Sequence, residues 1–430
     1  MSEQISDQIE ASSSCIDAFF TRNGLPASTR ALCWEFIRHR CPDLSTATEA
    51  PSQGYCSFTF CLGDDTIIQF RPPAHQIDPG VTNRAREVFG DYAPDTRFIG
   101  KLSVPISGET KSLFVYTMSR IRGISLAQVR LEWRASDVRT RVIREREELV
   151  RGFAELLARS WKKAVKPADP DLPHLKGTVG WSLRWRLNKM HSDLPARFRR
   201  TVEKVLERLH DIEALSWVLT HGDLVPANIM LALNQGTEPG LRLSGLLDWA
   251  EAEYLPFGVC LYGLEELLGE STTTQEGGNV VDSNALRSSF WAELETLIPE
   301  VRSMCETVRL AGLLGVLLWH GIAFDDGRLD RVVQEGVDDE EIQRLDVMLD
   351  GKYHKEGVSR HDRHYRLESA QVVDEKREQQ KQPRRFEAPK KEEVGGAFGV
   401  ALHYQRRYAW RLDMLSYTLK GEESARESGG

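Results

Sequence analysis

The chain has 430 residues, and its 56 Lys and Arg against 64 Asp and Glu leave a formal net charge of -8 at pH 7. That balance excludes a nucleic-acid partner gripped by a broadly basic face, and 41% hydrophobic with 28% charged residues excludes a fibrous or wholly disordered chain. The length permits one two-lobed catalytic unit with an interlobe cleft, or two to three ordinary domains.

From Pro26 to Arg38, PASTRALCWEFIR places Leu32, Phe36 and Ile37 at near-helical spacing after a Pro and Ser/Thr start, which predicts an amphipathic helix in an N-terminal extension over 1–50. Tyr55 to Phe70, YCSFTFCLGDDTIIQF, reads as two β-rich runs joined by a Gly-Asp-Asp turn, a β-hairpin. A short helix through VTNRAREVFG and two further strands, TRFIGKLSV and SLFVYTMSRI, complete a small antiparallel sheet with one helix over 51–123. Beyond Gly123 the period changes. REREELVRGFAELLARSWKKAV carries Leu149, Phe153, Leu156 and Leu157 at helical spacing, and RFRRTVEKVLERLH, LYGLEELLG, SFWAELETLI and VRLAGLLGVLLW extend a helical lobe over 124–350. The apolar run Leu310 to Trp319 is too short to span a bilayer, so it reads as a buried helix and no membrane partner is expected. Residues 351–430 are rich in charge and poor in aliphatics, as expected of a mobile tail or an atypical appendage, with QPRRF and APKKEE as its basic clusters.

Seven cysteines, Cys15, Cys33, Cys41, Cys56, Cys61, Cys260 and Cys305, form no CxxC or His-containing zinc pattern and read as reduced thiols. The start, MSEQISDQIEASSSC, has no basic region followed by an apolar stretch, so a cytoplasmic protein is expected.

Val218 to Met230, VLTHGDLVPANIM, carries the chemistry: a β-branched lead runs into His-Gly-Asp, and an Asn follows five residues after the Asp. Phosphoryl transfer to a hydroxyl needs a carboxylate to accept the attacking proton, which suits Asp223, and oxygen ligands for Mg²⁺, which suits Asn228. About 20 residues on, LRLSGLLDWAEAEYLPFG ends a second apolar strand at Asp248, where a carboxylate could bridge Mg²⁺ to ATP phosphates. His221 reads as a loop-organising residue. Glu251 and Glu253 have two readings, as lining of an acceptor pocket or as solvated acids.

HGDLVPAN followed by GLLDWAEAE resembles the catalytic and metal-binding loops of aminoglycoside phosphotransferases and related small-molecule kinases, and DWAEAEYLPFG is similar to fungal members. The resemblance runs from about Gly54 to Asp350. It implies a bilobal protein-kinase-like α+β fold, ATP and Mg²⁺ as cofactors, Asp223 as base, Asn228 and Asp248 as metal ligands, and a small-molecule hydroxyl as acceptor.

The first lobe departs from that pattern. Where a kinase strand presents Lys to the α- and β-phosphates, TIIQFRPP offers Arg71, with Ile67 and Gln69 on the same face. Arg71 then reads either as a phosphate clamp or as a surface residue before two prolines. Glu87 sits on the helix that would pair with that cation, and alignment on Gly123 implies Met118 behind adenine with the backbone of Ser119 and Ile121 bonding it. Met118 reads equally as plain core. Gly54 and Ser57 stand where a phosphate-covering turn belongs, without a GxGxxG motif. The missing Lys keeps a second reading open, a pseudokinase that binds nucleotide or a partner without efficient catalysis. A protein kinase fits less well, since HGD replaces HRD and DWA replaces DFG.

Overall fold

The computed structural model describes residues 16–40, 47–50, 53–135, 139–233, 240–269, 283–323 and 331–349; the charged 351–430 segment, Cys15 and Cys41 lie outside them. Its first lobe is a five-stranded antiparallel sheet in the order β1-β2-β3-β5-β4, from β1 (Ala47–Glu49), β2 (Phe58–Leu62), β3 (Thr66–Arg71), β4 (Thr96–Ile106) and β5 (Glu109–Ser119). The expected hairpin is β2 and β3, paired from Phe58 opposite Phe70 to Leu62 opposite Thr66. Strand alternation divides the sheet into two faces. Phe58, Phe60, Ile68, Phe70, Leu113 and Val115 pack on one side against Ile16, Phe19 and Phe20 of a helix over residues 16–22 (α1) and Cys33 and Ile37 of α2 (Thr29–Arg40). The two helices of the N-terminal segment over residues 16–22 and 29–40 therefore form the back wall of this sheet. Ile67, Gln69 and Arg71 are left on the opposite face.

Helix α3 (Pro79–Phe89) starts on an Asp78 cap, whose Oδ1 accepts the Gly80 N–H at 2.7 Å. Its buried positions Ala85 and Phe89 join the core of the second lobe rather than that of the sheet. The chain then crosses to β6 (Ile124–Ser125), which pairs with β8 (Ile229–Leu233), itself paired with β9 (Leu241–Leu246). At the crossing Gly123 has φ +127, and a Cβ there would lie 2.2 Å from Leu231 O, so the approach requires glycine.

The second lobe is helical: α4 (Leu126–Ala135), α5 (Arg139–Lys162), α6 (Leu172–Leu175), α7 (Thr178–Asp193), α8 (Ala196–Glu207), α9 (Leu209–Glu213), α10 (Tyr262–Leu268), α11 (Ser283–Leu297), α12 (Val301–His320) and α13 (Asp339–Leu349). Leu149, Phe153, Leu156 and Leu157 of α5 are all buried, as their spacing predicts, and α12 is the expected buried apolar helix. No helix among the described residues is long and apolar enough to cross a membrane. A two-stranded ribbon of β7 (Trp217–Thr220) and β10 (Glu253–Pro256) completes the lobe. The whole is the α+β bilobal arrangement that the resemblance implies.

Candidate active site

The HGD segment leaves the end of β7, and Glu251 sits just before β10, so pairing of Thr220 with Glu253 brings these two turns together. His221 is fully enclosed. Its Nδ1 accepts the Asp223 N–H at 3.2 Å, so the ring proton sits on Nε2, which donates to Leu247 O at 2.7 Å. One imidazole thereby ties the loop after β7 to the loop after β9. Burial pushes its pKa down to about 4, against partial support for the charged form from the Leu247 carbonyl and Asp248. This is the loop-organising part expected of it.

A pH dependence follows from that shift. The unfolded chain protonates this imidazole near pH 6.5, the folded chain only near pH 4, so between those values the unfolded state binds more protons. Its contribution to stability is complete above pH 6.5 and is lost as pH falls toward 4, amounting to about 3 kcal/mol. Urea unfolding across this window is expected to show the loss in the wild type and a shallower slope in His221→Gln. Equal slopes in both would exclude this burial.

Asp223 follows directly. Asn228 donates from Nδ2 to Asp223 Oδ2 at 2.8 Å and to Asp223 O at 3.0 Å. That commits the amide nitrogen and leaves Asn228 Oδ1 with no protein partner among the described residues. The Leu247 N–H donates to Asn228 O at 2.8 Å, which sets the next residue, Asp248, beside the pair. Among the described residues Asp248 is the one non-glycine with positive φ, at 59°. A left-handed Asp costs about 1 kcal/mol or more and persists only where its surroundings hold it. Trp249 supplies that hold: its Nε1 donates to Leu246 O at 3.0 Å, and its ring lies between His221 (centroids 4.6 Å) and Phe89 of α3 (4.8 Å).

From the sheet, Arg71 reaches Asp248, with Nη2 3.7 Å from Oδ1, and donates from Nη1 to His75 O at 3.3 Å. Its side chain is only 6% exposed, which removes the surface reading. Arg71 Nε and Gln69 Oε1, both on the face predicted by alternation, are buried and have no hydrogen-bond partner among the described residues. Cys56, in the loop before β2, lies within electrostatic reach of Asp248 and Arg71, and burial pushes its thiol up to about 12. That loop therefore borders the site. It is knotted by Gln53, whose side chain donates to Ala50 O and Thr59 O and accepts the Thr59 N–H, while Ser57 Oγ pairs with Thr59 Oγ1 at 3.0 Å.

Two other residues, Glu87 and Ser119, sit differently from their sequence expectations. Glu87 is exposed, and among the described residues it makes no ion pair with Arg71, whose carboxylate partner is Asp248. The anchoring of Phe89 on Trp249 sets the rotation of α3 and turns Glu87 outward. The Ser119 N–H is already taken by Asp95 O at 3.0 Å, and its Oγ by the Asp95 N–H at 2.8 Å, because the ladder of β5 closes there. Ile121 has no backbone hydrogen-bond partner among the described residues, and half-buried Met118 lies opposite Ile67.

The two glutamates separate. Glu253 accepts the Val179 and Gly180 N–H groups at 3.2 and 2.8 Å, so it caps the start of α7 and is neither solvated nor free for an acceptor. Solvent reaches Glu251, yet the protein crowding it and the neighbouring Asp248 and Asp223 carboxylates push its carboxyl upward, with Arg71 offsetting part of the effect.

Residues 103–259 match the phosphotransferase enzyme family. The matched stretch holds Met118, Ser119, Ile121, Asp223, Asn228 and Asp248 and begins after Arg71 and Glu87. No curated protein matches the chain. Among solved structures, it is similar to the GDP complex of aminoglycoside 2'-phosphotransferase-IIIa at 14% identity and a TM-score of 0.40, over 66% of this chain and 89% of that one. It is similar to the streptomycin-ATP ternary complex of APH(2")-IIa at 15% identity and a TM-score of 0.38, over 69% and 89%. A glucosamine kinase aligns at 16% identity and a TM-score of 0.35, over 68% and 78%.

Proposed function

We propose that this chain transfers the γ-phosphoryl group of ATP to a hydroxyl of a small molecule, with Asp223 as the base. The observation that carries this reading is the convergence, from three separate segments, of Asp223 bonded to Asn228, a left-handed Asp248, and a buried Arg71 beside Asp248. Each has one task. Asp223 orients the attacking hydroxyl and takes its proton at the carboxylate. Asn228 Oδ1 and the Asp248 carboxylate supply oxygen ligands to Mg²⁺, and Arg71 contributes a fixed positive charge and unfilled donor capacity toward phosphate.

Among the described residues no group of three His, Cys, Asp or Glu could hold a metal by itself. Two protein oxygens without a closed cage fit Mg²⁺, which keeps waters and is completed by nucleotide phosphates. The unpartnered Arg71 Nε and Gln69 Oε1 on the facing wall fit a polar ligand there. When bound, Mg-ATP supplies the phosphoryl group and neutralises its charge.

Calorimetric titration with ATP is expected to show binding that requires Mg²⁺, followed by transfer to a hydroxyl compound in an acceptor panel. No Mg²⁺-dependent binding by folded protein would overturn the proposal. Arg71→Ala is expected to weaken ATP binding roughly tenfold or more, since it removes charge-assisted contacts. An unchanged affinity would remove Arg71 from the nucleotide site. Binding with no transfer to any acceptor and no hydrolysis would favour the pseudokinase reading.

A further inference from the structure

One group in contact with the catalytic loop has no part in the chemistry above. The Leu224 N–H, in the peptide that follows Asp223, donates to the hydroxyl of Tyr262 at 2.9 Å. Both residues are buried, so without this oxygen the N–H would be an enclosed donor with no partner. Tyr262 comes from a distant part of the chain, the first position of α10, and its ring stacks on Trp319 of α12 with centroids 5.0 Å apart and planes at 14°.

Helix α10 has only seven residues, too few to be stable alone, and every one of them is buried. It is held from several sides. Glu265 accepts from Arg287 Nε of α11 at 2.8 Å, and Glu266 accepts from Arg344 Nη1 of α13 at 2.9 Å. His320 Nε2 of α12 lies 3.5 Å from Glu266, with its Nδ1 2.6 Å from Glu341 Oε2. The carbonyls at its C-terminal end are also engaged: Glu266 O accepts from Arg130 and Leu268 O from Arg146 Nη2. A helix clamped in this way gives the Tyr262 hydroxyl a fixed position from which to hold a loop.

We propose that Tyr262 is a positioning residue, which fixes the Asp223–Leu224 peptide and through it the direction of the Asp223 carboxylate without touching substrate. This rests on Asp223 being the base. Tyr262→Phe keeps the ring and its stack on Trp319 and deletes only the accepting oxygen. With water as the acceptor, kcat for Mg-ATP hydrolysis is expected to fall about tenfold while KM for ATP stays within about twofold. The melting temperature should fall by only about a few degrees, as expected for one buried N–H left unpaired, and hydrogen exchange at the Leu224 amide should quicken while the rest of the lobe stays protected.

Asp223→Asn assayed in parallel keeps two failures apart. If Asp223→Asn turns over like the wild type, the base assignment is wrong and this proposal falls with it. If Asp223→Asn is inactive and Tyr262→Phe retains full kcat, only the positioning role fails. A uniform loss of protection, or unchanged exchange at Leu224, would also overturn it, and the exchange measurement needs no turnover.

Discussion

Replacing Asp223 with Asn is expected to abolish phosphoryl transfer while leaving Mg-ATP binding close to that of the wild type. The amide has the size of the carboxylate and still offers an oxygen to Asn228 Nδ2, which now bonds Asp223 Oδ2 at 2.8 Å. Several further ties run through backbone atoms that the substitution does not alter: the Asp223 N–H to His221 Nδ1, the Leu224 N–H to the Tyr262 hydroxyl, and the Asn228 Nδ2 and Val225 N–H bonds to Asp223 O. What is lost is a group able to accept the attacking proton, and general-base contributions are about 10² to 10⁴ in rate. Slow ATP hydrolysis reads the effect before an acceptor is known. Wild-type turnover in this variant, on water and on the true acceptor, would end the assignment of HGD as the catalytic loop.

Gly222→Ala is expected to cost both stability and activity. Gly222 has φ +77, and a Cβ there would stand 2.2 Å from the carbonyl oxygen of Glu251 and 2.8 Å from its carbonyl carbon. Those are backbone atoms of a turn fixed by Glu253, so no flexible side-chain end can move aside. The left-handed backbone adds about 1 kcal/mol for Ala, and forced overpacking typically adds 1–3 kcal/mol more. Calorimetry should therefore show a melting temperature lower by about 5 °C or more, with turnover lost because the displaced segment carries Asp223. Gly240→Ala is the control: nothing lies within 4 Å of its Cβ, and its effect should stay within about 0.5 kcal/mol. A Gly222→Ala protein as stable as this control would disprove the close approach of the two turns.

The local chemistry of this chain was legible in its sequence because local order has short periods. Alternation over Phe58 to Arg71 marked the β2–β3 hairpin and placed Arg71 on the face of Ile67 and Gln69. Helical spacing marked α5 and α12, and the five-residue step from Asp223 to Asn228 is spanned by one turn, so the pair meets wherever that turn forms. The three-residue β1 and the helix over 16–22 carried no such signal, since neither was long enough to display a period.

Partners distant in the chain were decided only by packing. Glu87 was the nearest acid on a suitable helix, but the Phe89–Trp249 contact turned α3 and gave Arg71 to Asp248. Glu253 went to the start of α7 because β10 pairs with β7 there, and the Ser119 N–H went to Asp95 because β4 begins beside the end of β5. Tyr262 reaches Leu224 only because side chains of α4, α5, α11, α12 and α13 hold α10 beside the loop. A sequence pattern specifies which face of an element is buried; which residue of another element meets that face depends on how all elements close around one core, and that closure has no local period to read.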